Sequence, residues 1–135
     1  MTSPPHTAVL AANRTFYEAF ANGDAERMAN VWAREHIVAC IHPGRSPIHG
    51  RDAVLSTWNG ILGTGDGPNI HVSDALATVV GEAAFVTCME HVGDTNMAAT
   101  NVFVLERGEW RLVHHHAGPV AVRAPSRRPS LSRLN

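Results

Sequence analysis

The sequence predicts an α+β domain in which N-terminal helices pack on one face of an antiparallel sheet. Three observations carry that prediction. Apolar residues up to Leu62 recur at helical spacings, and from Ile70 onward the period drops to two. Short glycine-containing turns then divide the second half into four runs long enough to pair as a meander.

Residues 1–5 form a polar, proline-containing start. A first helix is predicted over 7–22, where Val9, Phe16 and Phe20, beside Leu10 and Tyr17, make an apolar stripe. Asn22-Gly23 stops it, and Asp24 caps a second helix with Met28, Val31 and Trp32 on one side. A short strand over 37–42 ends at the Pro43-Gly44 turn. Its alternate residues Val38, Cys40 and His42 either face inward, with His42 at a pocket edge, or simply end a strand. A third helix follows Gly50, with Val54, Trp58, Ile61 and Leu62 apolar. The loop 63–68 is glycine-rich but lacks the spacing and the Lys-Ser/Thr of a phosphate loop. Strands are predicted at 70–80, 83–92, 98–106 and 109–118. From Arg123 the composition turns to Arg, Ser and Pro, so a basic disordered tail over 123–135 follows a single domain over 1–122.

Composition narrows the function classes. A chain of 135 residues suits one domain with a real core. No apolar run approaches the roughly 18 residues of a membrane span, and the first 12 residues lack the pattern of a signal peptide. Cys40 and Cys88 form no Cys-x-x-Cys pair and read as reduced, buried thiols of a cytosolic protein. Residues 1–122 hold seven arginines against 12 acids, a net −5 that argues against nucleic acid as a partner.

The last hairpin holds the densest chemistry. Pairing about Arg107-Gly108 sets Phe103 opposite Leu112, Asn101 opposite His114 and Ala99 opposite His116. Strict alternation then places Phe103, Leu105, Trp110 and Leu112 on one face with Asn101, His114 and His116. That bulkier face is assigned to the interior. The opposite face, with Thr100, Val102, Val104, Arg111, Val113 and His115, is assigned to a dimer contact.

Several segments together resemble the nuclear transport factor 2-like superfamily, and within it the small bacterial SnoaL-like and ketosteroid-isomerase-like proteins. They are Phe16-Tyr17-Glu18-Ala19-Phe20 with Asn22-Gly23-Asp24, Cys40-Ile41-His42-Pro43-Gly44, and Gly50-Arg51-Asp52-Ala53-Val54 leading to Trp58. Thr100-Asn101-Val102-Phe103 and Gly108 through His116 complete the series, which covers roughly residues 8–120. The resemblance implies a strongly curved sheet wrapped around helices, a cone with one apolar pocket, and a homodimer through the outer sheet face. Such proteins include isomerases, dehydratases and cyclases as well as non-enzymatic binding modules, so the fold leaves function open. Arg45 follows His-Pro-Gly where related sequences carry an aromatic residue, which alters the pocket rim.

Two functional readings follow. In the first, the pocket performs cofactor-free proton transfer, of isomerase, dehydratase or cyclase type, on a small hydrophobic molecule. His114 and His116 act as acid/base groups, since an imidazole titrates near neutrality. Glu90 or Asp74 is the partner carboxylate, its pKa raised in an apolar cone. Asp74 breaks the apolar series of its strand and reads equally as the mark of a bulge. Asn101, His42, Phe103 and the aromatics Tyr17, Trp32, Trp58 and Trp110 line the ligand site or simply fill the core. No metal is expected, although His114 and His116 with His42 or Glu90 have a ligand set's chemistry. In the second reading the chain is a non-catalytic ligand-binding or dimerisation module, its polar groups a satisfied buried cluster.

Overall fold

The computed structural model describes residues 4–63 and 69–121. The basic tail predicted over 123–135, and the glycine-rich loop beyond Gly63, lie outside the described residues. The elements in chain order are α1 (Pro4–Asn22), α2 (Ala25–Val31), β1 (Ala39–Ile41), β2 (Ile48–His49) and α3 (Arg51–Leu62). Then come β3 (Ile70–Val80), β4 (Ala83–Val92), β5 (Thr95–Glu106) and β6 (Glu109–Pro119). They form an α+β fold, three helices on a curved six-stranded sheet of order β2-β1-β6-β5-β4-β3.

The local causes are those the sequence displays. Asp24 caps α2 by accepting the Arg27 amide at 3.0 Å. Arg107 and Gly108 both take positive φ, 53° and 81°, which a two-residue turn of type I′ between β5 and β6 requires. Strands β3 to β6 pair antiparallel in the expected order. The sheet is larger than the meander, because β1 pairs parallel to β6 and recruits β2 on its other side.

Two polar side chains, one from α3 and one from β5, hold the end of α2 and the segment after it. Arg51 donates to the carbonyls of Ala29, Trp32 and Ala33, which lie at and just beyond the end of α2. Glu106 accepts the amides of Arg34 and Glu35 and the His36 ring. Burial pushes its carboxyl up, but those donors prevail and hold it at about 2.

The core lies between the helices and the concave sheet face. Phe16, Trp32, Trp58, Phe103 and Leu112 are fully buried there. Phe16 and Phe20 of α1 meet Trp58 of α3 edge to face, with centroids 5.4 and 4.9 Å apart. Residues of even number on β4, from Ala84 to Glu90, face this core, and those of odd number face out.

One register change corrects the alternation expected of β6. Phe103 pairs with Leu112, but Val102 pairs with His114, so Val113 is an extra residue on β6. Beyond this bulge every side chain changes face. Asn101 therefore lies opposite His115 and Ala99 opposite Ala117, whereas His114 and His116 were expected there. A second bulge lies in β3, where pairing jumps from Ser73–Met89 to Leu76–Thr87 and Asp74 takes φ 58°.

Candidate functional site

A connected set of polar side chains sits at the centre of the apolar core. Asn13 and Tyr17 come from α1, Cys88 and Glu90 from β4, Asn101 from β5 and His115 from β6. All six are buried. Tyr17 donates its hydroxyl to Glu90 Oε2 at 2.6 Å, and its oxygen accepts from Asn101 Nδ2 at 3.1 Å. The Cys88 sulfur lies 3.4 Å from the same hydroxyl. Asn101 Nδ2 also donates to Asn13 Oδ1 at 2.8 Å, while Asn101 Oδ1 lies 2.5 Å from His115 Nδ1. Since the amide nitrogen spends both protons on Asn13 and Tyr17, its oxygen must accept. His115 therefore carries its proton on Nδ1, and its Nε2 lone pair is free. That Nε2 stands 3.8 Å from Glu90 Oε2.

Electrostatics decide what this pair is. Burial pushes His115 down to about 3, and the neighbouring His42, His114 and His116 push in the same direction. Burial raises the Glu90 carboxyl, which the Tyr17 hydrogen bond only partly offsets. Both shifts disfavour the charged forms, so burial works against an ion pair at this contact. Tyr17 is driven upward, by burial first and then by Glu90, so its hydroxyl keeps the proton it donates to Glu90.

Glu90 and His115 form part of the wall of a 260 Å³ cavity whose other residues include Phe20, His42, Trp58, Ile61 and Met97. The pair is almost sealed, each residue 1% exposed, so it is the floor, while Arg45 and Ile61 carry the exposed rim. His42 packs on Trp58 at 4.9 Å between ring centroids and pairs with Thr57 Oγ1 at 2.9 Å. Burial first, then the Arg45 charge, lowers its pKa. A larger hollow of 450 Å³ lies between α1 and β3 and also reaches Asn13 and Tyr17.

The structure thus gathers Glu90, Asn101, Tyr17, Trp58 and His42 at one place and separates the remaining candidates from it. His114 points its Nδ1 to the Ala39 carbonyl at 3.0 Å on the outer side, and His116 is exposed. Neither faces the cavity. His115, assigned by alternation to the outer face, is the inward ring. Asp74 is exposed at its bulge and accepts from Ser73 Oγ at 3.3 Å, so it is no pocket carboxylate. Trp32 and Phe103 are core residues, and Trp110 lines a different hollow between the helices and the β5–β6 turn. The outward His114 and His116 cannot share an ion with the inward His42 or Glu90. Among the described residues no group of three His, Cys, Asp or Glu side chains is placed to hold a metal. Among them, too, no helix is long and apolar enough to cross a membrane. Asn13, Cys88 and His115 are the members that sequence reasoning did not place in the site, Cys88 having been read only as a buried thiol.

Comparison with known proteins bears on the family. The sequence matches the SnoaL-like domain over residues 9–122. A candidate dehydratase of the NTF2-like family from Streptomyces avermitilis is 31% identical, with a TM-score of 0.80 covering 87% of this chain and 97% of that one. A candidate calcium/calmodulin-dependent protein kinase type II association domain from Thiobacillus denitrificans ATCC 25259 is 35% identical, with a TM-score of 0.71 over 83% and 94% of the two chains. The F-box protein SKIP8 of Arabidopsis thaliana is 25% identical over 117 residues, 85% of this chain, which spans about half (51%) of that relative's length. The chain belongs to the SnoaL-like domain family, within the nuclear transport factor 2-like superfamily.

Proposed function

We propose that the protein transfers protons, without a cofactor, on a small hydrophobic molecule held in the 260 Å³ cavity. The observation that carries this reading is the opposed pair on the cavity floor, His115 Nε2 and Glu90 Oε2 at 3.8 Å, with the histidine tautomer set by Asn101. In a dehydration, Nε2 takes a proton from the carbon next to a carbonyl. The adjacent C–OH bond then breaks as Glu90 protonates the leaving oxygen, giving an alkene and water. The Tyr17 hydroxyl steadies the carboxylate as it forms. The proton on Nε2 then returns to Glu90 and restores the neutral pair. Candidate dehydratase, the name carried by the Streptomyces relative, supports a reaction of this class.

The test is deuterium incorporation, followed by NMR, for a panel of small apolar ketones and β-hydroxy ketones in heavy water. Exchange at the carbon next to the carbonyl is expected. Glu90→Gln and His115→Gln should each lower it by about 10²- to 10⁴-fold. Exchange that persists in both variants, or none with the native chain, sinks the proposal.

A second reading, self-association through the outer sheet face, is favoured by a specific observation and is compatible with the first. Leu76, Val80 and Phe85 of β3 and β4 are 67%, 64% and 39% exposed and lie on the face that Val102 and Val104 continue. The Thiobacillus relative's name, an association domain, agrees with this. Sedimentation equilibrium should give a dimer mass for the native chain and a monomer mass for Phe85→Glu. A native monomer at 100 µM, a concentration of about 10⁻⁴ M, would refute it.

A further inference from the structure

Glu90 and His115 supply an acid and a base, yet neither selects a substrate. We propose that the cavity takes a small hydrophobic carboxylate, with Arg45 at the rim gripping the carboxylate and the apolar body reaching the floor. This specificity rests on the cavity being the ligand site proposed above.

The argument starts from the charges around the cavity. Phe20, Pro43, Trp58, Ile61 and Met97 carry none. Burial favours the neutral forms of His42, His115 and Glu90. Among the described lining residues, Arg45 is the one arginine, and it stands at the exposed rim. Its guanidinium makes no ion pair and no side-chain hydrogen bond among the described residues, whereas Arg27, Arg107 and Arg111 are each matched to a glutamate. Its backbone is nonetheless fixed, since Arg45 N donates to the His42 carbonyl at 3.0 Å across the Pro43-Gly44 turn. The charge is felt inside: it adds to the burial that lowers the His42 pKa and opposes the burial that raises Cys40.

An anion entering at the rim meets a guanidinium that no carboxylate pairs with among the described residues. A cation meets repulsion and no counter-charge. Guanidinium favours carboxylate in particular, because its planar fork matches two oxygens at once. The apolar remainder is bounded by the cavity's 260 Å³, against about 150 Å³ for an engineered cavity that holds benzene. One ring and a short acid side chain therefore suit it.

The experiment is calorimetric titration of the full chain at pH 7 with phenylacetate and with its neutral isostere phenylacetamide. Phenylacetate should bind about tenfold tighter, as a charge-assisted contact at an exposed rim allows. In Arg45→Met the preference should fall to about one, and Arg45→Lys should restore part of it. Equal binding of the two probes to the native chain overturns the carboxylate inference and leaves the cavity reading standing. A preference that survives Arg45→Met overturns the role of Arg45. Binding of neither probe overturns both readings.

Discussion

Asn101→Leu is expected to destabilise the fold by on the order of 3–6 kcal/mol and to unlock His115 at the same time. Asn101 is 0% exposed and satisfies three neighbours, His115 through its oxygen and Asn13 and Tyr17 through its nitrogen. Leucine fills similar space but leaves three buried polar groups short of a partner, each about 1–3 kcal/mol. The Tyr17 loss is the smallest, because its hydroxyl still donates to Glu90. Urea denaturation of both chains measures the difference, and the histidine Nδ1 and Nε2 shifts report the tautomer. A loss under about 1 kcal/mol, with the Nδ1–H tautomer intact, would mean that the network does not depend on its central amide.

Much of this arrangement is legible in the residues themselves. The stripe Val9, Phe16 and Phe20, the cap at Asp24 and the turn at Arg107-Gly108 each act through local chemistry, and local chemistry is what a sequence displays. Parity on β4 places Glu90 beside Cys88 on the inner face because nothing interrupts that strand. The histidines fail for a definable reason. Val113 forms its bulge without glycine and without positive φ, so no residue announces the change of face. The bulge in β3 does leave a trace, since Asp74 interrupts an apolar series, but one polar residue there fits a pocket carboxylate equally well. Asn13 gives no local sign at all. It joins the site only because α1 lies across the sheet, and Asn101 reaches it over 88 positions of sequence. The parallel pairing of β1 with β6 is likewise a long-range choice that a three-residue strand does not encode.

The second large effect is a pH dependence centred on His115. In the unfolded chain this imidazole takes a proton near the ordinary value of about 6.5, whereas burial in the folded chain delays protonation to about 3. Between those values the unfolded state binds the extra proton, so stability falls as pH falls. The contribution is fully present above about 6.5 and is lost progressively down to about 3, on the order of 5 kcal/mol for a group with no solvent to screen it. Glu90 acts in the opposite sense. Its raised carboxyl contributes stability below the ordinary carboxylate range, and that contribution fades as pH rises through its folded value. Unfolding free energies from pH 3.5 to 8 should therefore fall steeply on the acid side, and His115→Gln should flatten that fall. The variant should be less stable than the native chain at pH 8 and close most of the gap by pH 4. A gap that stays constant across the range would show that His115 protonates equally in both states. The same burial bears on chemistry, because a base this reluctant to hold a lone proton accepts one readily only when a counter-charge forms beside it. Glu90, 3.8 Å away, creates that charge by giving up its own proton. Acid-side stability and coupled proton transfer thus both turn on the burial of His115, and Glu90→Gln should lower the transfer by about 10²- to 10⁴-fold while leaving the acid-side loss from His115 in place.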